Sequence, residues 1–311
     1  MQTQELHTRA ILVAVNISSW SGKKKDANVS REAAAAHGAH ESAGQYTKNL
    51  LPSTVKIDAK AKAAKAQKAV ESSNSFQALM AHINDTRNNF HYKQTLKWSD
   101  GWQLLPIKNY QAYVDGMRER QHKFNALLAD FVADYPRLRD AAKVILNGMF
   151  DESEYPANIA SKFSFKIEFA PVPQGGDFRV ALADAEIAAI VASTEARVKT
   201  AFQDAQNEAA GRMQEVLEKL VAKLGENKPI FRDTLIGNVR DMCAVVGRLN
   251  IADDPRLEKL RREAELLAMT EPETLRKNED VRVETAARAQ GILDEFTAAF
   301  GKKKATKKNA K

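Results

Sequence analysis

Residues 184–224 read DAEIAAIVASTEARVKTAFQDAQNEAAGRMQEVLEKLVAKL, the longest stretch of the chain with helical periodicity. A helix of this length spans about 60 Å, which is more than a compact domain requires. The stretch therefore predicts a coiled-coil arm or the spine of a helical bundle, and the alanines in its middle permit close packing. Small or apolar residues recur in steps of three or four at Ile187, Val191, Thr194, Val198, Ala201 and Ala205, and Val216, Leu217, Leu220 and Leu224 close the helix.

Further helices are predicted on both sides of this stretch. Gly225 and Pro229 end it, and Asp253 and Asp254 precede a proline in the manner of helix caps. Pro136 is expected to separate two helices, because proline removes a backbone donor from a helix interior. These helices are predicted over residues 31–37 (capped by Ser30), 56–70, 76–83, 117–135, 138–149, 230–249, 255–268 and 279–300.

A small antiparallel sheet is expected in the N-terminal half. Residues 10–18 are rich in Ile and Val, and residues 163–169 alternate phenylalanine or isoleucine with polar residues. The second strand should bury one aromatic face, and residues 178–182 are a candidate partner strand. The fold class predicted is mainly α with a small antiparallel β-sheet (α+β), a long helix and a helical C-terminal bundle.

The chain is predicted to have three regions. They are an α+β region over residues 1–182, a helical region over 183–300 and a disordered lysine-rich tail over 301–311. The tail holds six lysines and no acid, and residues 1–70 hold eleven basic against five acidic residues. Residues 71–301 hold thirty basic against thirty-five acidic residues. Two basic ends on a mildly acidic body are typical of a protein that touches a polyanion through its extremities.

Residues 90–113 concentrate six of the twenty-two aromatic residues, including two of the three tryptophans, with three lysines among them. Glycine and proline interrupt the segment, which predicts a long irregular loop. In one interpretation the rings stack on the bases of a single strand while the lysines neutralise phosphate. In the other, the tryptophans close the loop onto the core and the lysines point into solvent. The core interpretation is the one we favour on sequence grounds.

The nucleic-acid hypothesis names four groups of candidate residues. The first is the cluster Lys23-Lys24-Lys25, expected to be a solvated turn, and the second is the lysine-rich helix over 56–70. The third is the aromatic segment, and the fourth is the C-terminal tail. For each lysine group, the alternative to phosphate binding is an ordinary solvent-exposed surface. The candidate binding residues are Lys23, Lys24, Lys25, Lys60, Lys65, Tyr92, Lys93, Lys97, Trp98, Trp102, Lys302, Lys303 and Lys304.

Other chemistries have little support in the sequence. His37, His40 and Glu41 are too few for a structural zinc site, so no metal or cofactor is predicted. Cys243 lies on the apolar stripe of its helix, where a buried and inert thiol is expected. A single cysteine excludes an internal disulfide and favours a reducing, cytoplasmic setting. The apolar run over residues 10–15 is too short to cross a membrane and lacks the flanks of a signal peptide.

Several short stretches in order resemble a tailed-bacteriophage and prophage protein family of unknown function, over most of the chain up to about residue 295. The resemblance implies a phage-encoded protein of the bacterial host cytoplasm, and it implies no functional residue. The stretches are residues 20–24 (WSGKK), 44–52 (GQYTKNLLP), 90–92 (FHY) with Thr95, Leu96 and Trp98, 104–106 (LLP), 177–179 (DFR), 231–233 (FRD) and 249–255 (LNIADDP).

Together these observations predict a non-enzymatic phage accessory protein that binds nucleic acid without sequence preference. It is expected to act as an oligomer assembled through the helix over 184–224, with electrostatic capture by the basic ends and single-strand stacking at the aromatic segment. The alternative is a protein-interaction or assembly adaptor, for instance for an ATPase partner, in which the basic tail is incidental.

Overall fold

A computed structural model describes residues 6–51, 75–99, 101–174, 184–226 and 234–301, with only the backbone of Glu41. The fold is α+β, as predicted, with a small four-stranded antiparallel sheet, a long helix and C-terminal helices. The helices are α1 (Leu6–Arg9), α2 (Ala27–Ala36), α3 (Ser75–Asn84), α4 (Tyr92–Gln94), α5 (Ile107–Leu146), α6 (Asp184–Leu224), α7 (Thr234–Leu249), α8 (Pro255–Leu267), α9 (Pro272–Lys277) and α10 (Glu279–Phe300). The strands are β1 (Ala10–Ser18), β2 (Lys23–Lys25), β3 (Thr47–Asn49), β4 (Leu96–Ser99), β5 (Trp102–Pro106) and β6 (Ser164–Ala170).

The chain divides into two compact units. The first comprises residues 1–15, 88–115 and 167–311, and the second comprises residues 16–87 and 116–166. The boundary predicted near residue 182 and the predicted tail stay predictions, because residues 175–183 and 302–311 lie outside the described ranges.

The larger sheet has the strand order β4-β5-β1-β6. In the first unit, β1 runs antiparallel to β5 with Ala10 opposite Pro106 and Val13 opposite Gln103. Strand β4 pairs antiparallel with β5. The predicted strands over residues 10–18 and 163–169 are therefore confirmed as neighbours. The candidate partner strand over 178–182 lies outside the described residues.

The long helix α6 is the spine of the first unit and not a free arm. It packs against α7 and α10, and its C-terminal half supplies much of the buried core. Ala205, Ala209, Ala210 and Gly211 are buried there, and residues this small permit the close packing that the alanine-rich sequence predicts. The helices predicted over 255–268 and 279–300 are also confirmed, with Asp254 and Asn278 as their N-caps.

The predicted break at Pro136 is wrong. Helix α5 runs through Pro136 without ending. Phe131, Tyr135, Leu138 and Ala142 are buried on one face in steps of four, three and four, so packing continues across the proline. The burial of this face offsets the hydrogen bond that proline removes from the helix.

Three other local expectations are corrected by the structure. The aromatic segment contains a β-hairpin, β4–β5, where an irregular loop was expected, and Gly101 adopts a φ of 79° between its strands. Residues 23–25 form strand β2, which pairs with β3, where a turn was expected. The cap of α2 is Asp26 instead of Ser30, because the Asp26 carboxylate accepts hydrogen bonds from the backbone N–H groups of Asn28 and Val29.

Strand β6 does not bury its whole aromatic face. Phe163 just before it is buried and Phe165 is half-buried, whereas Phe169 is 45% exposed. The helix expected over residues 56–70 lies outside the described residues. No helix among the described residues combines the length and apolar character that crossing a bilayer requires.

Candidate nucleic-acid interface

Strand β2 presents the Lys23-Lys24-Lys25 cluster in the second unit. All three lysines are exposed. The negative charge of Asp151 offsets part of the positive potential of this cluster. The pKa of Asp151 lies below its ordinary value chiefly because Ser153 donates hydrogen bonds to it, and secondarily because of the charges of Lys48 and Lys24. The strand is therefore an exposed cationic edge with an acid near it.

Lys48 on β3 is the register partner of Lys24, but its role is structural. It is only 5% exposed, and its Nζ lies 2.8 Å from Glu154 Oε2, 3.6 Å from Asp26 Oδ2 and 2.7 Å from the carbonyl oxygen of Met149. Burial opposes its charged form, but the hydrogen bond and charge of Glu154 outweigh burial and raise the pKa of Lys48. The ion pairs hold the lysine strand in place and keep Lys48 from binding phosphate.

Trp98 and Trp102 lie on β4 and β5 of the first unit. Both rings are half-buried and pack against the hydrophobic core that α6, α7 and α10 share. Leu96 and Leu104 of the same hairpin are fully buried in that core. This packing agrees with the core interpretation of the aromatic segment, and a stacking role for the tryptophans stays a prediction.

Tyr92 and Lys93 occupy a different position, in the lining of a cleft of about 470 Å³ in the first unit. We call this the α6–α7 cleft, because most of its lining comes from these two helices. A cleft of this volume lies within the range of small-ligand sites. We refer to its apolar lining residues, Val216, Leu235, Met242 and Val245, as the floor, and to its polar lining residues, Tyr92, Lys93, Arg212, Glu215, Lys219, Asn238 and Asp241, as the rim.

Arg212 joins α4 and β4 to α6 beside the cleft. Its guanidinium donates to the carbonyl oxygens of Lys93 (2.9 Å) and Thr95 (2.7 Å) and to Glu208 Oε1 (2.6 Å). Glu208 in turn accepts a hydrogen bond from the backbone N–H of Lys97. Because three of its five N–H donors bind these acceptors, Arg212 chiefly positions the segment that carries Tyr92.

The remaining rim charges are exposed. Lys219 pairs with Glu215 one turn away at 2.8 Å, an exposed pair of small energetic worth. The side chains of Lys93 and Asp241 form no hydrogen bond or ion pair with another described residue. Tyr92 is 49% exposed, so its ring has a face available to a ligand. Apart from Arg212, the polar lining thus offers an aromatic ring, two cations and two carboxylates, and Lys219 and Glu215 pair with each other.

The structure brings some candidate residues together and leaves others apart. Tyr92 and Lys93 line one cleft, and the exposed Lys97 follows them on β4. Lys23, Lys24 and Lys25 share one strand but belong to the other compact unit. Lys60, Lys65, Lys302, Lys303 and Lys304 lie outside the described residues.

Sequence reasoning missed Arg212, Lys219, Asn238 and Asp241 as candidates. A signal for them exists, because Arg212, Glu215 and Lys219 recur in steps of three and four and so share one face of α6. Nothing local in the sequence indicates that this face meets Tyr92, which lies more than a hundred residues earlier.

The other candidate sites acquire structural roles. His40 Nδ1 accepts from the backbone N–H of Ser42 at a helical turn, and no group of three His, Cys, Asp or Glu in the described part of the chain could hold a metal ion. Cys243 is buried, as expected, and burial raises the pKa of its thiol to about 11. Asp253 pairs with Arg9 at 2.9 Å and with Lys108.

Comparison with protein-family models, curated proteins and solved structures finds no match to this chain. Its function is therefore inferred from the chemistry of its own residues.

Proposed function

We propose that this protein is a non-enzymatic nucleic-acid-binding protein that captures a single strand without strong sequence preference. The observation that carries the proposal is the α6–α7 cleft, whose lining includes an exposed tyrosine ring, the exposed Lys93 and the ion pair of Lys219 with Glu215. An aromatic face flanked by cations is the usual arrangement for stacking a base and neutralising its phosphate. The exposed strand Lys23–Lys25 adds a second cationic surface.

The proposal assigns stacking first to Tyr92. Its ring is half-exposed at the cleft, whereas Trp98 and Trp102 use part of their surface to cover the core. The proposal also includes a phage origin, a bacterial cytoplasmic setting and assembly into an oligomer. The motif resemblance supports the first and the single cysteine supports the second. The oligomer rests on the sequence expectation alone, because α6 uses its buried face to pack against α7 and α10.

The competing proposal is a protein-interaction adaptor, and the apolar floor of the cleft favours it. Val216, Leu235 and Met242 would suit the apolar face of a partner helix. The two proposals differ in salt dependence. Capture of a strand through phosphates releases counterions and weakens steeply with salt, whereas burial of an apolar helix does not.

The test is fluorescence anisotropy of a labelled thymidine oligomer of about 15 nucleotides, titrated with protein at several salt concentrations. Affinity should fall linearly with the logarithm of salt, and replacing Lys23, Lys24 and Lys25 together by alanine should reduce the slope by about 2, since each single-strand phosphate contact contributes about 0.7. Multi-angle light scattering of the same samples gives the oligomeric state with and without the oligomer.

Substitutions at the aromatic residues locate the stacking ring. Tyr92→Ala should weaken binding by about 1–3 kcal/mol with little change in melting temperature. Tyr110→Ala, at an exposed tyrosine of the same unit that does not line the cleft, should leave binding unchanged. Trp98→Ala should lower stability through lost packing and affect binding only through unfolding. Absence of binding at low salt would refute the proposal and favour the adaptor.

A further inference from the structure

The α6–α7 cleft contains an acceptor that electrostatic capture of a phosphate backbone does not use. Asp241 lines the cleft one turn after Asn238 on α7, and both side chains are exposed. Neither side chain bonds to another described residue. A carboxylate repels phosphate, so a part of the strand that donates hydrogen bonds suits this position better than the backbone does.

Base edges supply such donors unequally. An ionised carboxylate only accepts hydrogen bonds. Guanine, cytosine and adenine each carry an exocyclic amino group that donates, whereas thymine presents carbonyl acceptors on both sides of its single imino group, as uracil does. The carbonyl oxygens of these two bases would face the Asp241 oxygens with like partial charge. The amino-bearing bases satisfy the carboxylate and the others do not.

The rest of the cleft fits a base plane. The floor residues Val216, Leu235 and Met242 are themselves packed against the core, so the surface under a bound ring is fixed. Tyr92 lies at the rim with an exposed ring face, and Lys93 lies next to it. An apolar floor, an exposed tyrosine and the carboxylate of Asp241 match the face and the edge of an unstacked base, whereas the second carboxylate of the lining, Glu215, pairs with Lys219.

We propose that the cleft holds one unstacked base and selects a base with an exocyclic amino group over thymine or uracil. Guanine fits best, because its adjacent N1–H and amino donors reach both oxygens of Asp241 in a bidentate pair. The inference rests on the proposed function, since it names the part of a single strand that enters the site.

The experiment compares a thymidine oligomer of about 15 nucleotides with the same oligomer carrying a single internal guanine, by competition against a labelled oligomer at low salt. The guanine-containing oligomer should bind about fivefold more tightly or better, the lower end of discrimination by a bidentate contact. Asp241→Ala should abolish this preference while keeping or increasing affinity for the pure thymidine oligomer, because a repulsive charge is removed. Glu218→Ala is the matched control, since Glu218 is an exposed acid of α6 outside the cleft lining, and it should keep the preference.

The outcomes separate this inference from the proposed function. Equal affinities for both oligomers in the unaltered protein, or a preference that survives Asp241→Ala, overturn base selection by Asp241 while strand binding stands. Failure of both oligomers to bind overturns the proposed function and the inference with it. A loss of preference in Glu218→Ala as well shows a general charge effect and also overturns the inference.

Discussion

The protein should lose stability as the pH falls from 6.5 to 4, and replacing His91 by glutamine should make this loss smaller. His91 is 5% exposed, and its Nδ1 lies 2.8 Å from the Tyr113 hydroxyl oxygen, which itself lies in a buried side chain. Burial lowers the pKa of His91 from 6.5 to about 4. The neutral ring can accept a hydrogen bond from the Tyr113 hydroxyl, whereas a protonated ring would bring an unpaired charge into the core.

The direction and size of the effect follow from linkage. A histidine whose pKa is lower in the folded state contributes stability above its unfolded pKa and loses it as pH falls toward the folded value. The pKa difference of His91 corresponds to roughly 3 kcal/mol. The contribution is therefore complete above pH 6.5 and is lost progressively down to about pH 4. Glutamine keeps an acceptor near Tyr113 but does not titrate, so that part of the loss should disappear.

The assay is urea unfolding at a series of pH values, followed by the fluorescence of Trp98 and Trp102, which lie in the same compact unit as His91. Trp20→Phe removes the signal of the other unit. His7→Gln, at an exposed histidine of the same unit, is the matched control and should leave the pH dependence unchanged. If the free energy of unfolding falls equally with pH in His91→Gln and in the unaltered protein, the buried-histidine reasoning is refuted.

Two further predictions concern the second unit, where Trp20 fluorescence in a Trp98→Phe/Trp102→Phe background reports unfolding. Pro136→Ala should stabilise the unit by about 1–3 kcal/mol, because alanine at this exposed position returns a backbone hydrogen-bond donor to the interior of α5. Unchanged or lower stability would contradict a continuous helix. Lys48→Met should cost about 3–5 kcal/mol, because Glu154 and the Met149 carbonyl lose their buried cation. Adding Glu154→Gln should recover part of that loss, and strictly additive effects would show that the pair is not coupled.

Much of the helical architecture was predictable from local sequence. The helix over 184–224 has its apolar residues in steps of three and four, and those over 255–268 and 279–300 have caps and periodicity within a few residues of each other. Such signals act between neighbours in the chain, so they need no knowledge of the fold. The Ile- and Val-rich run over 10–18 and the alternation over 163–169 indicated strands in the same way.

Tertiary packing decided the features that contradict local rules. Proline disfavours a helix interior, yet α5 continues through Pro136 because buried residues before and after it share one face. Glycine and the dense aromatics suggested a loop at 90–113, yet Leu96 and Leu104 pair across a hairpin and enter the core together.

The candidate site depends most strongly on the tertiary structure. Tyr92 and Lys93 stand out in the sequence, but their partners in the cleft come from α6 and α7, more than a hundred residues later. Lys48 looks like any other surface lysine until the fold brings Glu154 to 2.8 Å from it. Composition and periodicity determine which segments are helical and where charge accumulates, because both are local properties. Which charges are buried, paired or left open to a ligand depends on contacts between distant segments, and those exist only in the folded chain.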